Sequence, residues 1–238
     1  MRFASLISGG GTTMAAIVAA TKSGEVPMEV ACVIASNPEA GGLEKAKALG
    51  IPEKDILVIN PEDFRVDGKV DQEKFGEVIL KELKRRKVDV VMQNGWYPWT
   101  PNLVTDAYHG MIFNQHPGPI PEFGGKGMYG TIVHAAVLEF RKLTEGEMWT
   151  EVVAQRVERN MDGGAVVKSA RVEILPKDTP ETLQIRALPF EHRVQIELLK
   201  DIASGNVHEV TRPSIALPGE EKLLEEAKKK AIVQYLEG

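Results

Sequence analysis

Short, mostly apolar runs alternate with longer amphipathic stretches in the first half of the chain. The apolar runs have the continuous hydrophobic character of buried parallel strands. These runs are RFASLIS (2–8), MEVACVIAS (28–36), DILVIN (55–60) and VDVVMQN (88–94). The amphipathic stretches predict helices over residues 14–24, 42–50 and 71–86, and Gly24 and Gly50 close the first two. This alternation predicts an α/β fold with a mostly parallel sheet.

The second half of the chain continues this pattern after one break. MIFNQH (111–116) predicts a short strand whose polar end leaves the core, and Pro117, Pro119 and Pro121 exclude regular structure after it. The later elements are helices over 127–140, 180–204 and 219–236, and strands over 150–158 and 165–174 that pair around the turn RNMDGG. We expect one domain over residues 1–205, with a C-terminal extension, residues 206–238, whose helix packs on the same domain.

Composition and charge favour an ordinary globular protein. Hydrophobic residues make up 43% and charged residues 26%, and the net charge of -5 leaves no basic stripe that would follow a nucleic acid backbone. Cys32 is the only cysteine, which excludes an internal disulfide and a thiolate metal cluster. The N-terminal run breaks into glycines too early for a signal peptide, and no run reaches membrane-spanning length. We expect a cytoplasmic protein that binds neither nucleic acid nor membrane.

A glycine-rich loop, Gly9 to Thr13, joins the first predicted strand to the first helix. Such a turn presents backbone N–H groups and the positive end of a helix dipole, which together suit a phosphate. The loop lacks the Gly-Lys-Ser/Thr of a Walker loop and the third glycine and acidic residue of a dinucleotide site, so a single phosphomonoester fits better. The alternative is a sharp turn in which the threonines only cap the helix.

Asn114, His116 and Asp162 are the candidate reaction centre. Residues two apart on a strand share a face, so the side chains of Asn114 and His116 converge where Pro117 ends the strand. Histidine exchanges a proton near neutral pH and an amide can donate to an oxyanion, which suits acyl transfer. Asp162, in the turn RNMDGG, can orient the imidazole. An isolated histidine is often only structural and a turn aspartate only a turn former.

Other catalytic chemistries find little support in the sequence. There is no Gly-x-Ser-x-Gly elbow, and Cys32 lies in an apolar strand pattern, so no nucleophile stands out. The histidines lack metal-ligand spacing, and no metal is expected.

The segments NQHPGPIPEFGGKGMYG and MDGG resemble the formyl-transfer site of the folate-dependent formyltransferases, over roughly residues 2 to 205. The likeness is greatest to the branch that formylates glycinamide ribonucleotide in purine synthesis. It implies a Rossmann-like three-layer fold with helices on both faces of a twisted sheet, a catalytic domain over residues 1–205, and formyl transfer by Asn114, His116 and Asp162. The implied cosubstrate is 10-formyltetrahydrofolate, and the implied acceptor is a phosphorylated amine.

The same resemblance implies further roles for residues outside the reaction centre. Substrate contacts fall on the glycine loop, on the strand end and on a late helix, at Gly10, Gly11, Thr12, Thr13, Gln115 and Glu191. Folate contacts fall on the segment NGWYPW and on the later turn, at Gly95, Trp96, Tyr97, Trp99, Asn160 and Met161. The three aromatic residues are equally compatible with a place in the core. The chain is expected to be a monomer or a homodimer.

Three departures from the family pattern lie near the expected site. Family members usually have an apolar residue at Gln115, a histidine at Gln155, and Leu-Ala-Gly-Phe-Met-Arg where this chain has QNGWYP. These differences keep three alternatives open. The acceptor can be another amine such as an amino sugar nucleotide, the reaction can be hydrolysis of formyltetrahydrofolate, or the protein can be a catalytically silent folate or nucleotide binder.

Overall fold

A computed structural model describes residues 1–144 and 146–237 of the chain. The strands are β1 (Arg2–Ile7), β2 (Glu29–Ala35), β3 (Ile56–Val58), β4 (Arg65–Val66), β5 (Lys69–Val70), β6 (Val90–Gln93), β7 (Ile112–His116), β8 (Trp149–Arg156) and β9 (Val166–Glu173). The helices are α1 (Thr12–Lys22), α2 (Gly42–Ala48), α3 (Gln72–Arg85), α4 (Asn102–Ala107), α5 (Thr131–Thr144), α6 (Pro180–Ser204) and α7 (Glu221–Ile232).

The main sheet has seven strands in the order β3-β2-β1-β6-β7-β8-β9. The pairs of β1 with β2 and β6, of β2 with β3, and of β6 with β7 are parallel, whereas β8 and β9 are antiparallel. This arrangement confirms the predicted α/β fold with a mostly parallel sheet.

The chain divides into two compact units. The first comprises residues 1–115, 156–159 and 195–207, and the second comprises 116–155, 160–194 and the residues from His208 onward. The predicted division into a domain over 1–205 and an extension over 206–238 stays a prediction.

The first unit has apolar cores on the sheet strands. Phe75, Ile79 and Leu83 recur on one face of α3 and are fully buried in the larger cluster. Asp71 caps this helix, since its carboxylate accepts from the Lys74 N–H at 3.1 Å. A second cluster packs Met14 and Val18 of α1 beside the strands. The second unit contains a smaller cluster of Ile120, Val153 and Val166, and there α7 packs against α5.

Some observed boundaries differ from the predicted ones, and some observed elements were not predicted from the sequence. Helix α5 begins at Thr131 rather than at 127, because Gly127 and Gly130 adopt positive φ angles that a helix cannot use. α4 and the small antiparallel pair β4–β5 are additions, and both are too short to carry a clear period. A π turn, Val233–Glu237, follows α7 within the predicted final helix. Within the described residues, every helix falls short of the length or apolar character needed to cross a membrane.

Candidate active site

Glycine backbone shapes the loop between β1 and α1 in the first unit. Gly11 immediately precedes α1 with a φ of 63°, in the left-handed region. A Cβ on Gly11 would lie 2.6 Å from the Cα of Gly42, and the Gly42 N–H donates to the Gly9 carbonyl oxygen at 3.1 Å. The two segments therefore pack backbone to backbone, with no space for a side chain at Gly11.

The first turn of α1 directly follows this loop. Thr12 is exposed, Thr13 is buried, and Gly10 is exposed. The first N–H groups of a helix have no acceptor within it, and no acidic residue stands in this first turn to offset the positive end of the helix dipole. The N–H groups of this turn can donate hydrogen bonds to the oxygen atoms of a phosphate monoester.

The segment after β6 is hydrogen-bonded to the glycine loop. The Ser8 N–H donates to the Gly95 carbonyl oxygen at 2.8 Å, and the Tyr97 N–H donates to the Ser8 hydroxyl oxygen at 2.9 Å. A Cβ on Gly9 would lie 3.6 Å from the Tyr97 hydroxyl oxygen. The structure thus brings two of the predicted ligand-contacting segments together within the first unit.

The three aromatic side chains of this segment differ in environment. Tyr97 is 59% exposed and Trp99 38% exposed, so both can contact a ligand. Trp96 is buried and its ring stacks on Phe75, with centroids 6.3 Å apart. Its packing is that of a core residue.

β7 carries three candidate residues at its carboxyl end. Asn114 and Gln115 are half-buried, whereas His116 is buried. Asn114 lies opposite Gln93 in the parallel register with β6. Since strand side chains alternate, Asn114 and His116 project to one side of β7 and Gln115 to the other.

In the second unit the His116 ring is fixed by backbone. Its Nε2 lies 2.9 Å from the Phe123 carbonyl oxygen. A carbonyl oxygen can only accept, so Nε2 carries the hydrogen and the lone pair of the neutral ring is on Nδ1. His116 Nδ1 lies 4.0 Å from Asp162 Oδ1. His116 and Asp162 are therefore close, but too far apart for a direct hydrogen bond at this distance.

Two N–H donors hold the carboxylate of Asp162. The Gln155 side-chain amide donates to Oδ1 at 2.6 Å, and the Gly125 N–H donates to Oδ2 at 2.8 Å. The Asp162 backbone has a φ of 50°, a conformation that aspartate, asparagine and glycine adopt more readily than other residues. A Cβ on Gly124 would lie 2.6 Å from the Asp162 Cβ, so the loop must have glycine there.

Burial lowers the pKa of His116, while the negative charge of Asp162 and the hydrogen bond to Phe123 raise it in opposition. The ring is thus neutral when the site is empty near pH 7, and the nearby carboxylate stabilises its protonated form. Such a pair can gain and lose a proton during a reaction at Nδ1.

A second histidine, His134 on α5, lies close enough to His116 for the charge of His116 to act on it. His134 is fully buried, and neither ring nitrogen has a hydrogen-bond partner among the described residues. Burial lowers the pKa of His134 to about 4, with a further lowering from His116. His134 therefore stays neutral beside the site at neutral pH.

The other predicted contact residues lie on α6 and in the turn before β9. Glu191 is buried on α6, and burial lowers the pKa of its neighbour His192. Asn160 and Met161 are exposed, and the Asn160 carbonyl oxygen accepts from the Gly163 N–H at 3.2 Å. Asn160 and Met161 are therefore accessible to a ligand.

Sequence reasoning did not assign roles to the groups that hold His116 and Asp162. They are the carbonyl of Phe123, the N–H of Gly125, the compact backbone of Gly124 and the amide of Gln155. Two features of the sequence point to these groups: the glycine pair inside EFGGKG, and the glutamine at a buried strand position. Among residues 1–144 and 146–237 there is no group of three or more His, Cys, Asp or Glu side chains arranged to hold a metal ion.

The family model described as formyl transferase matches residues 1–199 of the chain. The match covers well over half of the sequence, and the protein belongs to the formyl transferase family.

Individual relatives agree with this family. The chloroplastic phosphoribosylglycinamide formyltransferase of Arabidopsis thaliana is 30% identical over 208 residues, covering 87% of this chain and 66% of the relative. The Haemophilus influenzae phosphoribosylglycinamide formyltransferase is 30% identical over 206 residues, covering 87% and 89%. The crystal structure of glycinamide ribonucleotide transformylase 1 from Symbiobacterium toebii has a TM-score of 0.76 at 28% identity, covering 89% and 92%. The chain thus spans just under two thirds of the Arabidopsis relative's length.

Proposed function

We propose that the protein transfers the formyl group of 10-formyltetrahydrofolate to the amino group of glycinamide ribonucleotide. The observation that carries the proposal is the pair of His116 and Asp162, 4.0 Å apart, with each partner held by backbone or amide groups. Membership of the formyl transferase family and the names of the relatives support the choice of reaction and of acceptor.

In the proposed reaction the acceptor amine attacks the formyl carbon and forms a new carbon–nitrogen bond. The carbonyl oxygen becomes an oxyanion, which the Asn114 amide and the protonated His116 stabilise. Collapse of the tetrahedral intermediate breaks the bond between the formyl carbon and the folate nitrogen. The proton lost by the attacking amine moves to that leaving nitrogen, so the reaction needs no external oxidant or reductant and no net proton.

Asp162 stabilises the imidazolium and assists this proton movement. Its two oxygen atoms already accept from Gln155 and Gly125, so the carboxylate is oriented before the substrates bind. The 4.0 Å gap to His116 Nδ1 leaves room for a small adjustment or for a water molecule in the proton path.

The remaining assignments extend the proposal to binding. The loop of Gly10, Gly11, Thr12 and Thr13 holds the phosphate of the acceptor, and Gln115 and Glu191 contact the rest of it. Folate binds at Gly95, Tyr97, Trp99, Asn160 and Met161, whereas Trp96 packs on Phe75 as a core residue. The exposure of Tyr97, Trp99 and Met161 is consistent with this role.

One assay separates the candidate functions. The purified protein is incubated with 10-formyltetrahydrofolate alone, with added glycinamide ribonucleotide, or with an added amino sugar nucleotide, and the deformylated folate is followed by absorbance. Release that requires the acceptor supports the proposal. Release without an acceptor indicates a hydrolase, release only with an amino sugar nucleotide indicates another acceptor, and no release with any of them indicates a silent binder.

His116→Ala is expected to lower the acceptor-dependent rate by roughly 10²–10⁴, the usual share of general acid–base catalysis. The matched control is His109→Ala, because His109 is exposed and its removal leaves the His116–Asp162 pair intact. A near-normal rate for His116→Ala contradicts the role assigned to this residue.

A further inference from the structure

The segment Arg212–Ile215 contacts the proline-rich loop that follows β7 in the second unit. The Arg212 guanidinium donates to the Ile120 carbonyl oxygen. The Ser214 hydroxyl donates to Glu122 Oε1 at 2.6 Å, and the Ile215 N–H donates to the same oxygen at 3.3 Å. The side chains of Arg212 and Ser214 and the side chain of Glu122 thus join the two segments.

Burial strengthens this connection. The Arg212 side chain is 13% exposed and forms an ion pair with Glu151 on β8, whose side chain is 6% exposed. Removal of Arg212 would leave the buried Glu151 carboxylate without this partner. The Val210 N–H also donates to the Val166 carbonyl oxygen at 2.8 Å, which ties the start of the segment to β9.

The anchored residues directly precede the groups that hold the reaction centre. Ile120 and Glu122 are followed by Phe123, whose carbonyl oxygen accepts from His116, and by Gly125, whose N–H donates to Asp162. A shift of the loop therefore changes both backbone contacts at once.

We propose that the segment Arg212–Ile215 positions the His116–Asp162 pair, with Arg212 acting as a positioning residue through the loop of residues 120–125. The expected effect of this segment on turnover rests on the proposed function. The segment lies beyond residues 1–199, the part of the chain that the family model matches. The anchor is therefore a feature of this chain outside the matched family region.

The variant Arg212→Gln tests the proposal through two readouts. Loss of the anchor loosens the Phe123 contact that favours protonated His116, so the imidazole titrates at lower pH. Among the described residues, Asp162 acts on the charge of this ring and the ring in turn acts on His134, and both of these groups remain in the variant. We expect turnover to fall by about 10–100-fold, as for a misplaced catalytic group, with the KM for glycinamide ribonucleotide changed less than about threefold.

The titration of His116, followed by NMR of its ring, is the second readout and needs no activity. We expect a lower pKa in Arg212→Gln than in the unsubstituted protein. If the unsubstituted protein transfers no formyl group, the proposed function fails, but the NMR titration still tests the anchor. An unchanged titration and turnover in a folded Arg212→Gln variant overturn the positioning role, as does a loss that lies entirely in KM.

Two further variants complete the design. Ser214→Ala removes the hydroxyl that contacts Glu122 and the Ala216 carbonyl oxygen but leaves Arg212 in place, so it keeps the proposal testable if Arg212→Gln does not fold. A smaller shift in the same direction is expected, and no shift contradicts the proposal. Arg171→Gln is the matched control, because Arg171 is a mostly exposed arginine of the same unit that pairs with Glu147. It is expected to leave both readouts unchanged.

Discussion

Asp162 receives two N–H donors, and only one of them comes from a side chain. The Gln155 amide, 2.6 Å from Oδ1, does not titrate, so the donor side of this contact is the same at any pH. The resemblance to the formyltransferases predicts histidine at this position. Glutamine supplies an N–H donor there without a titratable group.

Gln155→Glu is expected to impair the enzyme in a pH-dependent way. Two carboxylates at hydrogen-bond distance share a proton, because two ionised groups there repel, so the pair keeps this proton to a higher pH than an isolated carboxyl group would. At a pH where the pair has lost this proton, repulsion displaces Asp162 and we expect a loss of at least about tenfold in kcat. At a lower pH, where the proton is still shared, the contact is restored and most of the loss disappears.

The check is the ratio of kcat between variant and unsubstituted protein at the two pH values. Gln155→His is the matched control, since it supplies an N–H donor and should stay within about fivefold of the original rate. Equal losses for Gln155→Glu at the lower and the higher pH argue against charge repulsion as the cause.

Sequence reasoning reached some of these residues and not others for a physical reason. The alternation along a strand and a following proline identify Asn114 and His116 as a polar pair at a strand end, because both signals are local. The partners of His116 and Asp162 are mostly backbone groups of Phe123 and Gly125. A backbone group has no residue type, so no motif reveals which carbonyl or N–H will meet a side chain in the fold.

At the scale of elements, the long apolar strands and the helices α3 and α6 were predictable because their patterns extend over many residues. The start of α5 was not, because it depends on the positive φ angles of Gly127 and Gly130, which the apolar pattern does not encode. The glycine loop before α1 is an intermediate case. Its sharp turn follows from the glycines, whereas its close packing on Gly42 follows only from the tertiary structure.

Gly11→Ala is expected to destabilise the protein by about 2 kcal/mol or more, because the new Cβ adds a steric clash with the Gly42 backbone to the cost of a positive φ. The measurement is the free energy of unfolding in urea. Gly10→Ala is the matched control, since its Cβ would have no heavy atom within 4 Å beyond its chain neighbours, and a change within about 0.5 kcal/mol is expected. Equal stability of the two variants contradicts the close packing of the loop.

At the scale of the whole molecule, buried histidines tie stability to pH. Burial lowers the pKa of His134 to about 4 in the folded protein, from the value of 6.5 that an ordinary histidine has. The unfolded chain therefore binds a proton at His134 below pH 6.5, whereas the native state binds it only near pH 4. The free energy of unfolding consequently falls as the pH falls through this window. The lowered pKa values of His116 and His192 act with the same sign.

We expect His134 alone to account for about 3 kcal/mol of the stability lost between pH 7 and pH 4. The measurement is the free energy of unfolding in urea at both pH values for the unsubstituted protein and for His134→Leu. Leucine suits a site where neither ring nitrogen has a described partner, and it cannot titrate. An undiminished pH dependence in His134→Leu shows that this histidine is not the source.

The contact between Arg212 and Ile120 joins residues 92 positions apart in the chain. During synthesis the loop that presents Phe123 and Gly125 leaves the ribosome well before Arg212 is made. At 5–20 residues per second, synthesis of the chain from Ile120 to Arg212 takes about 5–20 s. The nascent chain thus passes through a period in which the loop after β7 lacks its anchor, and correct placement of His116 and Asp162 is among the last events of its maturation.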